Sequence, residues 1–331
     1  MSKPKVAFYW CTSCGGCEEA VVDLNEDLLK VADAVDIVLW PVAMDFKKKD
    51  VESIKDGEIA VSFINGAIRM SEHEEMVKLL RKKSQLVIAF GSCAYTGGIP
   101  GLGNFYLKDT IFQRVYKEVP TVENPGGITP QEHTAIDAGE LTLPEFYETV
   151  KTLDQMIPVD YYLPGCPPPG ELIKNAIDAI LKNELPEKGE VLAPNKSLCD
   201  TCPRAEERPE KISVEEIKRP HEIKLSPWKC FLEQGLICLG PATRSGCGER
   251  CIKVNMPCRG CMGPLKGVED HGIEALSKIA SILGLEADGK VPEEELKKLA
   301  NKIADPEGTF YRFGLPASPL ERSEIWEMSK V

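Results

Sequence analysis

Cysteine is the residue type in this 331-residue chain whose spacing carries the most chemistry, and there are thirteen of them. Five lie in the first half. Cys11, Cys14 and Cys17 form Cys11-Thr12-Ser13-Cys14-Gly15-Gly16-Cys17, Cys93 follows Gly91-Ser92, and Cys166 sits in Pro164-Gly165-Cys166-Pro167-Pro168-Pro169. The other eight fall between Cys199 and Cys261, as Cys199-x2-Cys202, Cys230, Cys238, Cys247-x3-Cys251 and Cys258-x2-Cys261. An odd total excludes complete disulfide pairing. The start runs straight into the strand-like Val6-Ala7-Phe8-Tyr9-Trp10 without the regions of a signal peptide, so the chain is expected in the cytoplasm, where thiols stay reduced and cysteine clusters more often bind metal. Four thiolates hold a [4Fe–4S] cube. Eight cysteines make two cubes and five make one with a thiol to spare, so the arithmetic suits three clusters. Structural zinc is the rival for Cys199-x2-Cys202 with Cys258-x2-Cys261, but it leaves Cys230, Cys238, Cys247 and Cys251 poorly spaced for a second ion. A bacterial ferredoxin run starting at Cys11 lacks its x3-Cys-Pro continuation.

The elements that must position these thiols are legible in the hydrophobic pattern. Strands are expected at Lys5–Trp10, Asp36–Trp40, Glu58–Ile64, Gln85–Phe90 and Val159–Leu163, alternating with helices at Glu18–Lys30, Ser71–Lys82 and Glu171–Lys182. That alternation predicts an α/β, flavodoxin-like, doubly wound parallel sheet over residues 1–185. The stretch from Gly91 to Pro158 is rich in Gly and Pro, with helices expected at Leu107–Lys117 and Leu143–Gln155. Three cysteine sites follow the carboxyl ends of strands, which share one edge of an open parallel sheet, so thiols distant in sequence can meet there. Residues 186–272 show almost no periodicity and form a loop-rich segment that a metal group is expected to hold together. Residues 273–331 return to helix signals, at Ile273–Leu283 and again after Pro292, with Leu296, Leu299 and Ile303 in phase.

Composition excludes other classes. With 52 acidic residues against 40 Lys and Arg, the net charge of −12 disfavours nucleic-acid and anionic-lipid surfaces. No apolar run reaches the length of a membrane span. The four His residues, His73, His133, His221 and His271, show no metal-pair spacing, and neither a nucleophile elbow nor a P-loop occurs. No residue of this chain is expected to be catalytic.

Taken in order, the motifs resemble the small, electron-transferring subunit of [NiFe] hydrogenases. The family's Cys-x2-Cys-x-Glu is similar to Cys14 to Glu19, its Gly-Ser/Thr-Cys-Ala to Gly91 to Ala94, and its Pro-Gly-Cys-Pro-Pro to Pro164 to Pro168. Cys-x-Gly-Pro-x-Thr-x3-Cys is matched by Cys238 to Cys247, and Pro-Cys-x-Gly-Cys by Pro257 to Cys261. The resemblance implies a proximal [4Fe–4S] cluster on Cys14, Cys17, Cys93 and Cys166, next to the large subunit that splits hydrogen. It implies a middle cluster on Cys247, Cys258 and Cys261, to which Cys251 adds a fourth ligand. An outer cluster falls to Cys199, Cys202, Cys230 and Cys238, with Cys199 standing where many relatives have His. Oxygen-tolerant relatives carry extra cysteines where this chain has Gly16 and Gly98, so an ordinary proximal cube is expected. Glu19 becomes a candidate for supporting the proximal ligands at the subunit interface, and Cys11, outside the pattern, reads as a free thiol. The absence of an export signal and membrane anchor resembles the cytoplasmic F420-non-reducing (viologen-reducing) group. That resemblance implies a [NiFe] large-subunit partner, an additional iron–sulfur subunit and a heterodisulfide reductase as acceptor. The related quinone-oxidoreductase subunit remains the alternative, although it lacks the second cysteine-rich half.

Overall fold

The computed structural model describes residues 3–320 apart from 207, 210, 211, 213, 215, 283–293, 295–296 and 299–300. In chain order it contains β1 (Lys5–Trp10), α1 (Gly16–Val22), α2 (Glu26–Ala34), β2 (Asp36–Leu39), α3 (Lys48–Ser53), β3 (Ile59–Asn65), β4 (Ile68–Met70), α4 (Ser71–Lys83), β5 (Ser84–Phe90) and α5 (Ser92–Thr96). There follow α6 (Lys108–Gln113), β6 (His133–Ile136), β7 (Gly139–Thr142), β8 (Phe146–Lys151), β9 (Tyr161–Leu163), α7 (Gly170–Lys182), α8 (Arg250–Lys253), α9 (His271–Ile282) and α10 (Pro306–Phe310). The main sheet is parallel throughout, in the order β2-β1-β3-β5-β9. Its order reverses beside β1, the place where a doubly wound sheet opens a crevice at its carboxyl edge.

Alternation along the strands feeds two cores. Val6 and Phe8 of β1 point with Phe63, Phe90 and Leu163 toward α1 and α7, where Phe8 stacks on Phe63 at 5.1 Å between ring centroids. Ala7 and Tyr9 point the other way, toward Met76, Val77 and Leu80 of α4. One ion cluster ties this layer to the chain that leaves the sheet. Asp160 accepts from Arg81 at 2.6 Å, from the Val87 N–H at 2.8 Å and from Lys188 at 2.7 Å. Burial raises its pKa, but these donors outweigh burial and hold the carboxyl below its usual range. A depressed carboxylate stabilises the fold above its unfolded pKa and loses that contribution as pH falls through the folded one. Asp160→Asn is therefore expected to cost about 1–3 kcal/mol at pH 7 in urea unfolding, with the gap to wild type narrowing below pH 4.

Several expectations need correction. The helix expected over Leu143–Gln155 is instead the strand β8, paired antiparallel with β4, because Phe146, Tyr147, Thr149 and Val150 favour extended backbone over helix. The helix expected at Glu18–Lys30 is broken into α1 and α2 at Asn25, whose φ is +51°. The region after Gly91 also holds the hairpin β6–β7, for which the hydrophobic pattern gives no signal. The loop-rich segment has an apolar core of its own, built from Leu198, Phe231, Leu232, Leu239 and Ile252 with Ala275 and Ile279 of α9. The tail does not stand apart. Thr96 Oγ1 donates to Phe313 O at 2.5 Å and Gln155 Nε2 to Pro316 O at 2.7 Å, so the chain after α10 returns to the sheet edge. The turn opened at Pro292, with Leu296 and Leu299, lies outside the described residues. Among the described residues no helix is long and apolar enough to cross a membrane.

Candidate iron–sulfur sites

Each thiol of the first half sits just past a strand. β1 delivers Cys14 and Cys17, β5 delivers Cys93 and β9 delivers Cys166, all at the carboxyl edge. All thirteen cysteines are free. Burial first, then the neighbouring Cys93, Cys166 and Cys14, push the Cys17 thiol far up. Burial likewise pushes Cys93 up to about 12, with Cys166 and Cys14 adding to it. Four thiols that disfavour one another's ionisation in this way become thiolates together only with a cation among them. The loops leave room for it only because glycine lines them. A Cβ at Gly91 would stand 2.3 Å from Cys17 Sγ, and one at Gly98 2.5 Å from Cys93 Sγ, with φ of +87° and +57° respectively.

In the second segment, Cys199, Cys202, Cys230 and Cys238 line one cavity together with Gly240 and Arg208. Arg208 Nη1 donates to Cys199 Sγ at 3.7 Å, and the backbone N–H groups of Gly240 and Cys258 point at Cys238, the latter at 3.3 Å from Sγ. Cys247, Cys251 and Cys261 form the other group. Burial pushes Cys261 up to about 12, the Cys166 N–H offsets this, and Cys247 and Cys251 add to the rise. Cys258 stands at the junction, with its thiol raised by burial and then by Cys238 and Cys261. Among the described residues no three His, Cys, Asp or Glu side chains stand close enough to hold a single metal ion. Free thiols, glycine-lined cradles and N–H donors aimed at sulfur are the donor set that a cluster with several irons takes, so the residues present fit such a group.

Two residues named from the sequence stand differently from their neighbours. Glu19 is exposed, whereas Glu18 is 1% exposed and neither of its carboxyl oxygens has a hydrogen-bond partner among the described residues. Burial pushes Glu18 up to about 7, opposed by the nearby Asn65 amide, and Asn65 Oδ1 and Thr12 Oγ1 are likewise unpartnered at the strand ends. A carboxyl raised on folding weakens the fold as pH climbs from its unfolded value through its folded one. Glu18→Gln is expected to remove about 1–3 kcal/mol of that loss, so its melting temperature falls less than wild type between pH 5 and pH 8. Cys11 is buried on the opposite face of the sheet among Tyr9, Ile64 and Ile68, apart from the other thiols of the first half.

Sequence reasoning also missed His271 and Arg208. The His271 ring is buried against Thr243 Oγ1 at 3.3 Å, and Thr243 sits beside Cys258. Ten residues separate His271 from Cys261 in sequence, and only the folding back of α9 brings it near. Of the arginines among the ligand motifs, Arg244 is spent on the carbonyls of Pro264 and Pro194 at 3.2 Å and Arg250 is exposed. Arg259 alone lies within electrostatic reach of Cys238 and Cys251.

The NADH ubiquinone oxidoreductase 20 Kd subunit family matches residues 14–180, which hold four of the five strands of the main sheet and the cysteine loops at its edge. Over 96% of this chain and 98% of its own length, the F420-non-reducing hydrogenase iron-sulfur subunit of Archaeoglobus profundus is 39% identical. The chain belongs to the family of F420-non-reducing hydrogenase iron–sulfur subunits. The corresponding F420-non-reducing hydrogenase subunit of Methanothermobacter marburgensis is 38% identical over 96% of both chains. In fold, a chain of the H2-activated [NiFeSe]-hydrogenase of Dm. baculatum superposes with a TM-score of 0.50 at 18% identity, covering 81% of this chain and 96% of that one. This chain is thus the small subunit of a hydrogenase, part of an oxidoreductase acting on hydrogen, and a large subunit is its partner.

Proposed function

We propose that this subunit relays electrons released from hydrogen at the large subunit through three [4Fe–4S] clusters to a protein acceptor such as a heterodisulfide reductase complex, by way of an additional iron–sulfur subunit. Cys14, Cys17, Cys93 and Cys166 would hold the proximal cluster, Cys247, Cys251, Cys258 and Cys261 the middle one, and Cys199, Cys202, Cys230 and Cys238 the outer one. The clusters supply reversible one-electron storage, and the chain supplies spacing, donors to sulfur and exclusion of water. In domain terms, residues 1–185 would carry the first site and 186–272 the other two, with 273–331 as a helical C-terminal extension.

The observation that carries this reading is how the three sets adjoin. The Cys166 N–H donates to Cys261, and Ser92 Oγ, next to Cys93, donates to Cys261 O across 169 residues of sequence. At the far side the Cys258 N–H donates to Cys238 Sγ at 3.3 Å. Hydrogen bonds between ligand residues thus run from first set to second and from second to third. The proximal edge offers an apolar face for the large subunit, since Trp10 and Ile99 are 41% and 51% exposed beside the Cys14 and Cys93 loops. The quinone-type alternative is supported by the family match over residues 14–180, but the second-half thiols that line a site of their own lie outside it. Anaerobic purification through a tag on this chain tests the proposal. Recovery of a nickel-containing large subunit and hydrogen-dependent reduction of methyl viologen are expected. A nickel-free chain that never drives that reduction would contradict it.

A further inference from the structure

A basic pocket opens in the second half of this acidic chain. Among the described residues, Lys218, Arg219, Arg259, Lys302 and Arg312 line a cavity of about 100 Å³ with Asp305 as its one carboxylate, although the chain carries a net charge of −12. The cations are poorly neutralised from within. Among the described residues no acceptor faces the guanidinium of Arg219 or Arg259, and Arg312 Nε donates only to Gly308 O at 2.9 Å. Lys218 and Lys302 share Glu216 at 3.6 and 3.8 Å, while Asp305 is drawn to the Gly308 N–H at 2.9 Å. The back of the pocket is formed by Ile237 and Pro257, each the residue preceding a thiol of the relay, Cys238 and Cys258.

We propose that this pocket receives carboxylates of an acidic electron-accepting protein and seats that protein over the outer sulfurs. The inference rests on the relay described above, because it needs electrons to leave through Cys238 and its neighbours. Charge complementarity commits it to an acidic protein. An acidic chain as a whole repels such a partner, so a concave basic site sets where it docks, and the effect falls on association rate more than on final affinity.

The test uses the complete hydrogenase complex, reduced with hydrogen, and an acidic plant-type ferredoxin as probe acceptor, with the dication methyl viologen in parallel. Combining Arg219→Gln, Lys302→Gln and Arg312→Gln is expected to slow ferredoxin reduction about tenfold at low salt and flatten its dependence on ionic strength. Viologen reduction and iron content stay at wild-type levels. Arg219→Lys with Arg312→Lys retains the ferredoxin rate, and Arg219→Gln alone, at an exposed position, shows part of the loss. Unchanged ferredoxin rate and salt dependence in the triple variant would overturn the proposal. So would saturable binding of inorganic phosphate in the wild-type pocket by calorimetry that leaves ferredoxin reduction untouched, since the pocket would then serve a small anion. Failure of the wild-type complex to reduce viologen would instead overturn the relay reading, and this proposal with it.

Discussion

Gly91→Ala is expected to empty the proximal site while leaving the rest of the chain folded and loaded. The added methyl would stand 2.3 Å from Cys17 Sγ, closer than any real Cβ approaches a sulfur, and φ at this position is +87°. Neither partner can yield cheaply. Cys17 is fixed in the first turn of α1 and buried in the core, and the Gly91 N–H is held by Leu163 O at 2.8 Å where β5 meets β9. The displaced sulfur can no longer complete a four-thiolate set, so bound iron falls from about twelve to about eight per chain. Hydrogen-dependent viologen reduction is expected to drop to background, because in the proposed relay this site lies nearest the large subunit and would be the entrance. Iron analysis together with the dye assay on the purified complex checks this. A variant with full iron and full activity would mean that the Cys17 sulfur is not held where the strand ends place it.

Cys238→Ala should act at the other end with a different signature. The side chain is 7% exposed, and its sulfur receives N–H groups from Gly240 and Cys258. Removing it strands two backbone donors in a buried place and opens the outer set, so iron again falls to about eight per chain. Here the proximal and middle sets survive. Viologen, a small dye, still collects electrons from them and keeps a substantial fraction of its rate, whereas a protein acceptor docked over the outer sulfurs receives almost nothing. Equal loss with both acceptors would contradict the order in which the three sets are linked.

What could be read from the residues alone was the frame. Alternating apolar runs ending in Trp10, Phe90 and Leu163, each followed by a cysteine loop, announced a parallel sheet with thiols gathered on its carboxyl edge, and β1, β5 and β9 stand there. Local pattern failed where tertiary pairing decides the outcome. Leu143–Gln155 carries enough spaced apolar residues to suggest a helix, yet β4 offers an edge and the aromatic and β-branched residues of β8 take it. The second-segment core was invisible for a similar reason. Leu198, Phe231, Leu239 and Ile252 have no shared period, and only folding brings them against α9. At the sites, the cysteines were legible from spacing but the groups around them were not. Glu19 was the natural choice by motif, and it is Glu18 that turns inward, since one step along a helix rotates a side chain by about 100°. Arg208 reaches Cys199 across nine residues of irregular chain that has no period to align them, and His271 arrives on a separate helix, so neither relation shows in the local pattern.

In the proposed relay, twelve of the thirteen thiols hold three iron–sulfur cubes. Iron, zinc and acid-labile sulfide determined per chain in anaerobically purified complex, after subtracting metal in the large subunit, decide it. About twelve irons with an equal amount of sulfide is the predicted result for three cubes. About four irons would confine the chemistry to the sheet edge, and zinc in place of iron in the second segment would contradict the relay outright.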